Sequence, residues 1–240
     1  LFALLLITGS CTDVLDRTPQ GEFTLDNFFQ TEEQAVQSVN AIYNQLREWQ
    51  VHVFSFIGMT DVVSDDSNEG SFPSDGFFLQ EVEDCEHTPA NVAPSSVWAG
   101  YYTGIFRANL AIERIPEVPE MDEALRARLI AEAQFLRGYF YFNLVRWFGD
   151  VPLIVEPFPD DFAIPRASKE DVYGQIIADM EAAIAVLPAK SAYTAADLGR
   201  VTRGAARSLL AKVQLTRGEY QSAVDEVLAV INSSQDSLAS

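Results

Sequence analysis

The side chains best able to do chemistry crowd into residues 50–95, where nine acids from Asp61 to Glu86 face no lysine or arginine. Asp65-Asp66-Ser67-Asn68-Glu69-Gly70 resembles the opening of a calcium loop, with oxygen ligands at alternate positions and a glycine at the sixth. The twelfth position is Gly76, where such a loop needs a bidentate glutamate, so the pattern fails. A bound calcium ion is compatible with so many acids but is not expected. Two carboxylates could also flank a glycosidic bond. With nine to choose from, some pair always has suitable spacing, so no catalytic residue is expected. His87 stands alone without a second ligand set, so no metal and no cofactor are expected either.

The same stretch suits non-covalent capture better. Sugar rings present apolar C–H faces that lie on flat aromatics, while their hydroxyls need amide or carboxylate partners. Phe72, Phe77 and Phe78 with Asn68, Asp75 and Gln80 are the candidate ligand-binding residues, and Trp49 and His52 stand at the start of the segment. The competing reading has these phenylalanines filling a small core under the loop or touching a partner protein. Long segments without a period are functional or disordered, and the aromatics speak against disorder.

The rest of the chain has to hold that segment in place. Its 240 residues carry 35 acids against 16 bases, a formal net charge of −19. Such a surface repels phosphate backbones, and no basic stripe relieves it, so nucleic acid is excluded as a partner. It favours neutral or cationic ligands over polyanions. Leu1 to Ser10 is an apolar run too short to span a bilayer, which fits the h-region of an export signal cut at its front. Small residues leading into Cys11 resemble a lipobox, although Thr8 stands where leucine is usual; Cys11 is the expected lipidation site and residues 11–24 a tether. Cys85 then has no disulfide partner.

Helical periodicity dominates from there on, and the expected fold class is all-α. Ala35, Val36, Val39, Ile42, Tyr43 and Leu46 mark one face of a helix from Thr31 to Trp49, with Glu32 and Glu33 in its first turn. Further helices are expected over 96–115, over 122–149, from the capping box at Ser168 to Leu187, over 202–217 and over 220–231. In the helix over 122–149, Phe135, Leu136, Phe140, Leu144 and Trp147 form a core stripe and Gly138 permits a close approach. Arg137 and Arg146 are expected to pair locally rather than bind ligand. Leu210-Ala211, Gly218-Glu219-Tyr220, Ala223 and Val227 fall as in a tetratricopeptide helix pair. Pairs at similar spacing (31–49 with 96–115, 122–147 with 168–187, 202–217 with 219–231) predict stacking.

Residues Ala131 to Leu153, AEAQFLRGYFYFNLVRWFGDVPL, resemble the hallmark stretch of the SusD/RagB family. Trp98-x-x-x-Tyr102 and Arg107-Ala108-Asn109 precede it in the family's order, and Pro165-Arg166-Ala167-Ser168 and Gly199-Arg200-Val201-Thr202-Arg203 follow. Cys11, Asp16-Arg17-Thr18-Pro19, Asn27-Phe28-Phe29 and Ala41-Ile42-Tyr43 fit as well. The resemblance implies tetratricopeptide-like helix pairs with long irregular loops that carry the ligand site, here over 50–95. It places residues 25–240 in the N-terminal part of such a protein, with the C-terminal half missing. It further implies a lipid-anchored, surface-exposed protein of the outer membrane that binds oligosaccharide, without catalysis, and delivers it to a SusC-like TonB-dependent transporter. A peptide ligand, as for RagB-like relatives, or a helical scaffold for a protein partner are the alternatives.

Overall fold

The computed structural model describes residue 24 and residues 27–70, 72, 75–159 and 163–233. The apolar leader, Cys11 and the tether before Thr24 lie outside the described residues. Thr31 opens α1 (Glu32–Gln45) through a reciprocal cap: its hydroxyl accepts from the Gln34 amide, and the Gln34 side chain accepts from the Thr31 amide. The helix buries Ala35, Val39 and Ile42 at the expected spacing but stops four residues short of Trp49.

The next segment departs furthest from expectation. From Trp49 to Val62 the chain rewinds as a π turn (49–53), the short α2 (Phe54–Ile57) and a second π turn (58–62), where no regular structure is expected. Its buried face is Val51, Ser55, Gly58 and Val62, a helical spacing. Two of those four inward residues are Ser and Gly, while Trp49, Val53 and Ile57 point outward. The hydrophobic signal is therefore inverted along this stretch, which is why periodicity misses it. Gly58 lets Leu79 approach closely, because a Cβ there would come within 2.6 Å of Leu79 Cδ2 and force that side chain to shift. Leu79 belongs to α3 (Phe77–Glu83).

Five longer helices make the frame: α4 (Val92–Arg114), α5 (Glu123–Phe148), α6 (Lys169–Val186), α7 (Arg203–Arg217) and α8 (Tyr220–Asn232). Side-chain oxygens of Asn91, Asp122, Ser168 and Thr202 cap the first four. α4 begins earlier than the expected Ser96 because Asn91, not a serine, supplies the cap. Each of these helices packs on the next, and α1 lies against α4 and α5, so all three expected pairs are in contact. Leu136, Phe140 and Leu144 are buried as the core stripe, with Tyr101, Ile105, Tyr141, Ile176 and Met180 around them. Gly138 meets Met180 and Gly104 meets the Phe140 ring so closely that any Cβ would collide. Gly218, at φ 81°, turns α7 into α8, and Ala211 and Ala223 are buried between them. Val227, expected inward, is 44% exposed and shares an outer face with Tyr220, Val224 and Ile231. Among the described residues no helix is long and apolar enough to cross a membrane.

Among the described residues a single antiparallel ladder completes the fold. β1 (Val151–Pro152) pairs with β2 (Arg166–Ala167), Pro152 opposite Arg166.

Candidate functional site

Buried Arg137, Asn109 and Tyr141 and half-buried Tyr102 strap the segment after α5 onto the helices. Arg137, in α5, sends Nε and Nη2 to Asp179 of α6 and Nη1 to Asn109 Oδ1 of α4 at 2.9 Å. Asn109 donates to the carbonyls of Ile154 (2.9 Å) and Glu156 (3.2 Å). The Tyr141 hydroxyl accepts from the Ile154 amide at 2.7 Å and donates to its carbonyl at 2.9 Å. Tyr102 donates to the Pro152 carbonyl at 2.7 Å. Burial raises the Tyr102 and Tyr141 hydroxyls above the ordinary tyrosine range, so both stay protonated and able to donate. The strap fixes β1, and β1 fixes the register of Arg166.

Arg166 thereby overhangs a cleft of about 600 Å³ between the start of α4, the end of α5 and the 87–89 turn. Trp98, Trp147 and Phe148 form its floor, with Met59, Pro89 and Pro94 on the walls. His87, Thr88, Ser95 and Arg166 supply its polar groups, and none of the ten lining residues is an acid. Each floor ring is braced. Trp98 packs against Tyr102 (5.0 Å between centroids) and Phe148 (5.1 Å), and Trp147 against Phe56 (5.5 Å) and Tyr101 (5.7 Å). Behind them, His52 Nδ1–H donates to the Leu46 carbonyl at 2.9 Å, leaving Nε2 to accept from the Tyr139 hydroxyl at 2.6 Å. His52 is thus a brace between the 49–62 segment and α5. Asn91 ties α3 to the start of α4 by donating to the Phe78 carbonyl and to Glu81.

The residues expected to bind ligand lie on a surface beside this cleft. Phe78 is half-buried on Phe54, which stacks on the exposed Trp49, so an aromatic row does run from the expected segment. Phe77 and Phe72 stand clear of it, 66% and 81% exposed. Asn68 is engaged with Glu83, and Gln80 donates to Asp84 at 3.1 Å. Asn68 also borders a shallow acidic depression of about 410 Å³ with Asp65, Asp66, Glu83 and Asp84. Asp75, like Phe72, is exposed and sits apart from both openings. Among the described residues no three His, Cys, Asp or Glu side chains converge as a metal site would need. Helical periodicity alone puts Trp98 and Trp147 on core-facing stripes and gives Phe148 and Arg166 no binding role. Periodicity places a residue on a face, but cannot tell that the face opens to water at a helix end. The signal available was position: Trp98 sits in the second turn of α4 and Trp147 in the last turn of α5.

The SusD-like family model, described as "Starch-binding associating with outer membrane", matches residues 14–215. SusD-like protein P38 of Formosa agariphila is 30% identical over 236 residues, 97% of this chain and 44% of that protein. A SusD-like protein of Bacteroides ovatus is 30% identical over 221 residues, 90% of this chain and 38% of that protein. Among solved structures, a laminarin-binding SusD-like protein superposes with a TM-score of 0.75 at 35% identity, covering 84% of this chain and 43% of the other. Surface glycan-binding protein A from Bacteroides fluxus gives a TM-score of 0.76 at 26% identity, covering 87% and 46%. The chain spans less than half the length of the curated relatives it matches.

Proposed function

We propose a function from one premise: the chain belongs to the SusD-like family. The protein captures glycan at the outer face of the outer membrane, anchored through a lipid on Cys11, and hands it to a SusC-like TonB-dependent transporter. The aromatic floor formed by Trp98, Trp147 and Phe148 carries this reading. Its volume falls within the ~300–1,000 Å³ typical of small-molecule sites, and its rings are flat surfaces on which the C–H face of a pyranose can lie. Hydroxyls of the same sugar can reach His87, Thr88 and Ser95 on the rim.

Binding without catalysis is the role this reading gives the protein. Two-carboxylate hydrolysis needs an acid and a base or nucleophile on either side of the scissile bond, and the cleft lining offers neither. The similarity to a laminarin-binding protein supports a glycan over a peptide. Isothermal titration of the chain with laminari- and malto-oligosaccharides tests the reading, with Trp98→Ala as the control. Heat of binding that disappears in Trp98→Ala is the expected result. Unaltered binding in that variant, or none to any glycan, would remove the cleft from consideration. Co-purification of the transporter with the lipidated protein from outer membranes tests the delivery step.

A further inference from the structure

We infer that the cleft takes a glycan carrying an anionic group, a uronate carboxylate or a sulfate ester, seated against Arg166. This rests on the reading of the cleft as a glycan site and adds the substrate class. The chain has more than twice as many acids as bases, yet among the described residues the cleft lining contains Arg166 and His87 and no Asp or Glu. Most other arginines in the structure are spent on the protein. Arg137, Arg200, Arg207 and Arg217, for example, all close ion pairs with carboxylates.

Arg166 closes none with any described carboxylate. Its Nη1 donates to the backbone carbonyl of Asp150 at 3.2 Å, and its guanidinium lies 6.0 Å from the Trp98 ring centroid. The Asp150 carboxylate is turned to the Lys169 amide at 2.9 Å. The guanidinium is therefore oriented by β1 and by the indole, with donors left over. A planar fork with free N–H groups beside an aromatic floor is the shape that holds a carboxylate or sulfate in two-point fashion while the sugar ring stacks. The net charge of −19 opposes such a ligand, but none of the described lining residues is an acid. At physiological salt the screening length is ~8 Å, so charges beyond it count for little against direct contact with one oriented arginine.

Calorimetric titration separates the possibilities, using trigalacturonate, its methyl ester, a sulfated galactose trisaccharide and laminaritriose on the wild-type chain, Arg166→Met, Arg166→Lys and Trp98→Ala. The expected result is roughly tenfold tighter binding of at least one charged sugar than of the neutral ones, a preference lost in Arg166→Met and partly kept in Arg166→Lys. Which charged sugar shows it identifies the carboxylate or the sulfate as the source. Failure of both charged sugars to bind tighter than the methyl ester and laminaritriose, or a preference that survives Arg166→Met, overturns the inference while a Trp98-dependent affinity for laminaritriose leaves the glycan reading standing. No binding that depends on Trp98 overturns both.

Discussion

Arg137 grips Asp179 with two nitrogens, Nε to Oδ2 at 2.9 Å and Nη2 to Oδ1 at 2.6 Å, where 6% of one residue and 2% of the other remain exposed. Burial pushes the Asp179 carboxyl above its ordinary range, and the guanidinium, joined by Gln175 at 3.0 Å, pulls against that push. Buried pairs of this kind add little net stability against an apolar pair of equal volume, but breaking one side strands a charge. Here the pair does more than join α5 to α6. Through Asn109 and Val155 it holds the strap that sets the position of Arg166 over the cleft.

Arg137→Met should therefore cost about 3–5 kcal/mol of folding stability, and Asp179→Leu a comparable amount. The double variant should recover most of the loss, because neither charge is then left alone. Urea unfolding of the four proteins measures the coupling directly. Single variants that each cost less than about 1 kcal/mol would show that water reaches the pair and that the strap stands without it.

A second prediction contrasts two helical glycines. A Cβ on Gly104 would lie 2.4–2.9 Å from three atoms of the Phe140 ring, which is fully buried and has nowhere to swing. A Cβ on Gly174, exposed in α6, meets nothing within 4 Å. Both alanines gain about 1 kcal/mol of helix propensity, but overpacking at Gly104 costs about 1–3 kcal/mol and more where the neighbour cannot yield. Gly104→Ala should lower the melting temperature and Gly174→Ala raise it. The same sign at both sites would mean that α4 and α5 slide apart at little cost.

The frame was legible because its helices obey ordinary rules: polar caps at Thr31, Ser168 and Thr202, a 3.6-residue apolar repeat, and small residues where helices touch. The family motif was legible for the same reason, since Arg137, Gly138, Tyr141 and Asn109 are fixed by packing and buried hydrogen bonds. The 49–62 segment was not, because its inward positions include Ser55 and Gly58 while Trp49 and Ile57 face water. The cleft was hidden for another reason. Trp98 and Trp147 fall on the same stripes as true core residues, and only the ends of α4 and α5, the 87–89 turn and the β1–β2 ladder together leave them facing an opening. That juxtaposition joins residues 59, 98, 147 and 166, and no local pattern encodes it.

The last prediction concerns alkali. Tyr101 and Tyr141 are buried, and burial raises both hydroxyls above the ordinary tyrosine value of 10.0; Tyr193, less enclosed, is pushed up to about 12. A folded-state value above the unfolded one means that the native protein holds protons the unfolded chain has released. Stability is thus fully present below pH 10 and falls as pH rises beyond it, by about 1.4 kcal/mol per pH unit for each tyrosine kept protonated. Guanidinium titrations between pH 8 and about 11.5 should show a flat limb and then a decline, with the buried tyrosines adding tyrosinate absorbance only as the protein unfolds. Absorbance from Tyr101 and Tyr141 that rose before unfolding would mean that solvent enters between α4 and α5, where Tyr101 braces Trp147 and Tyr141 holds the strap.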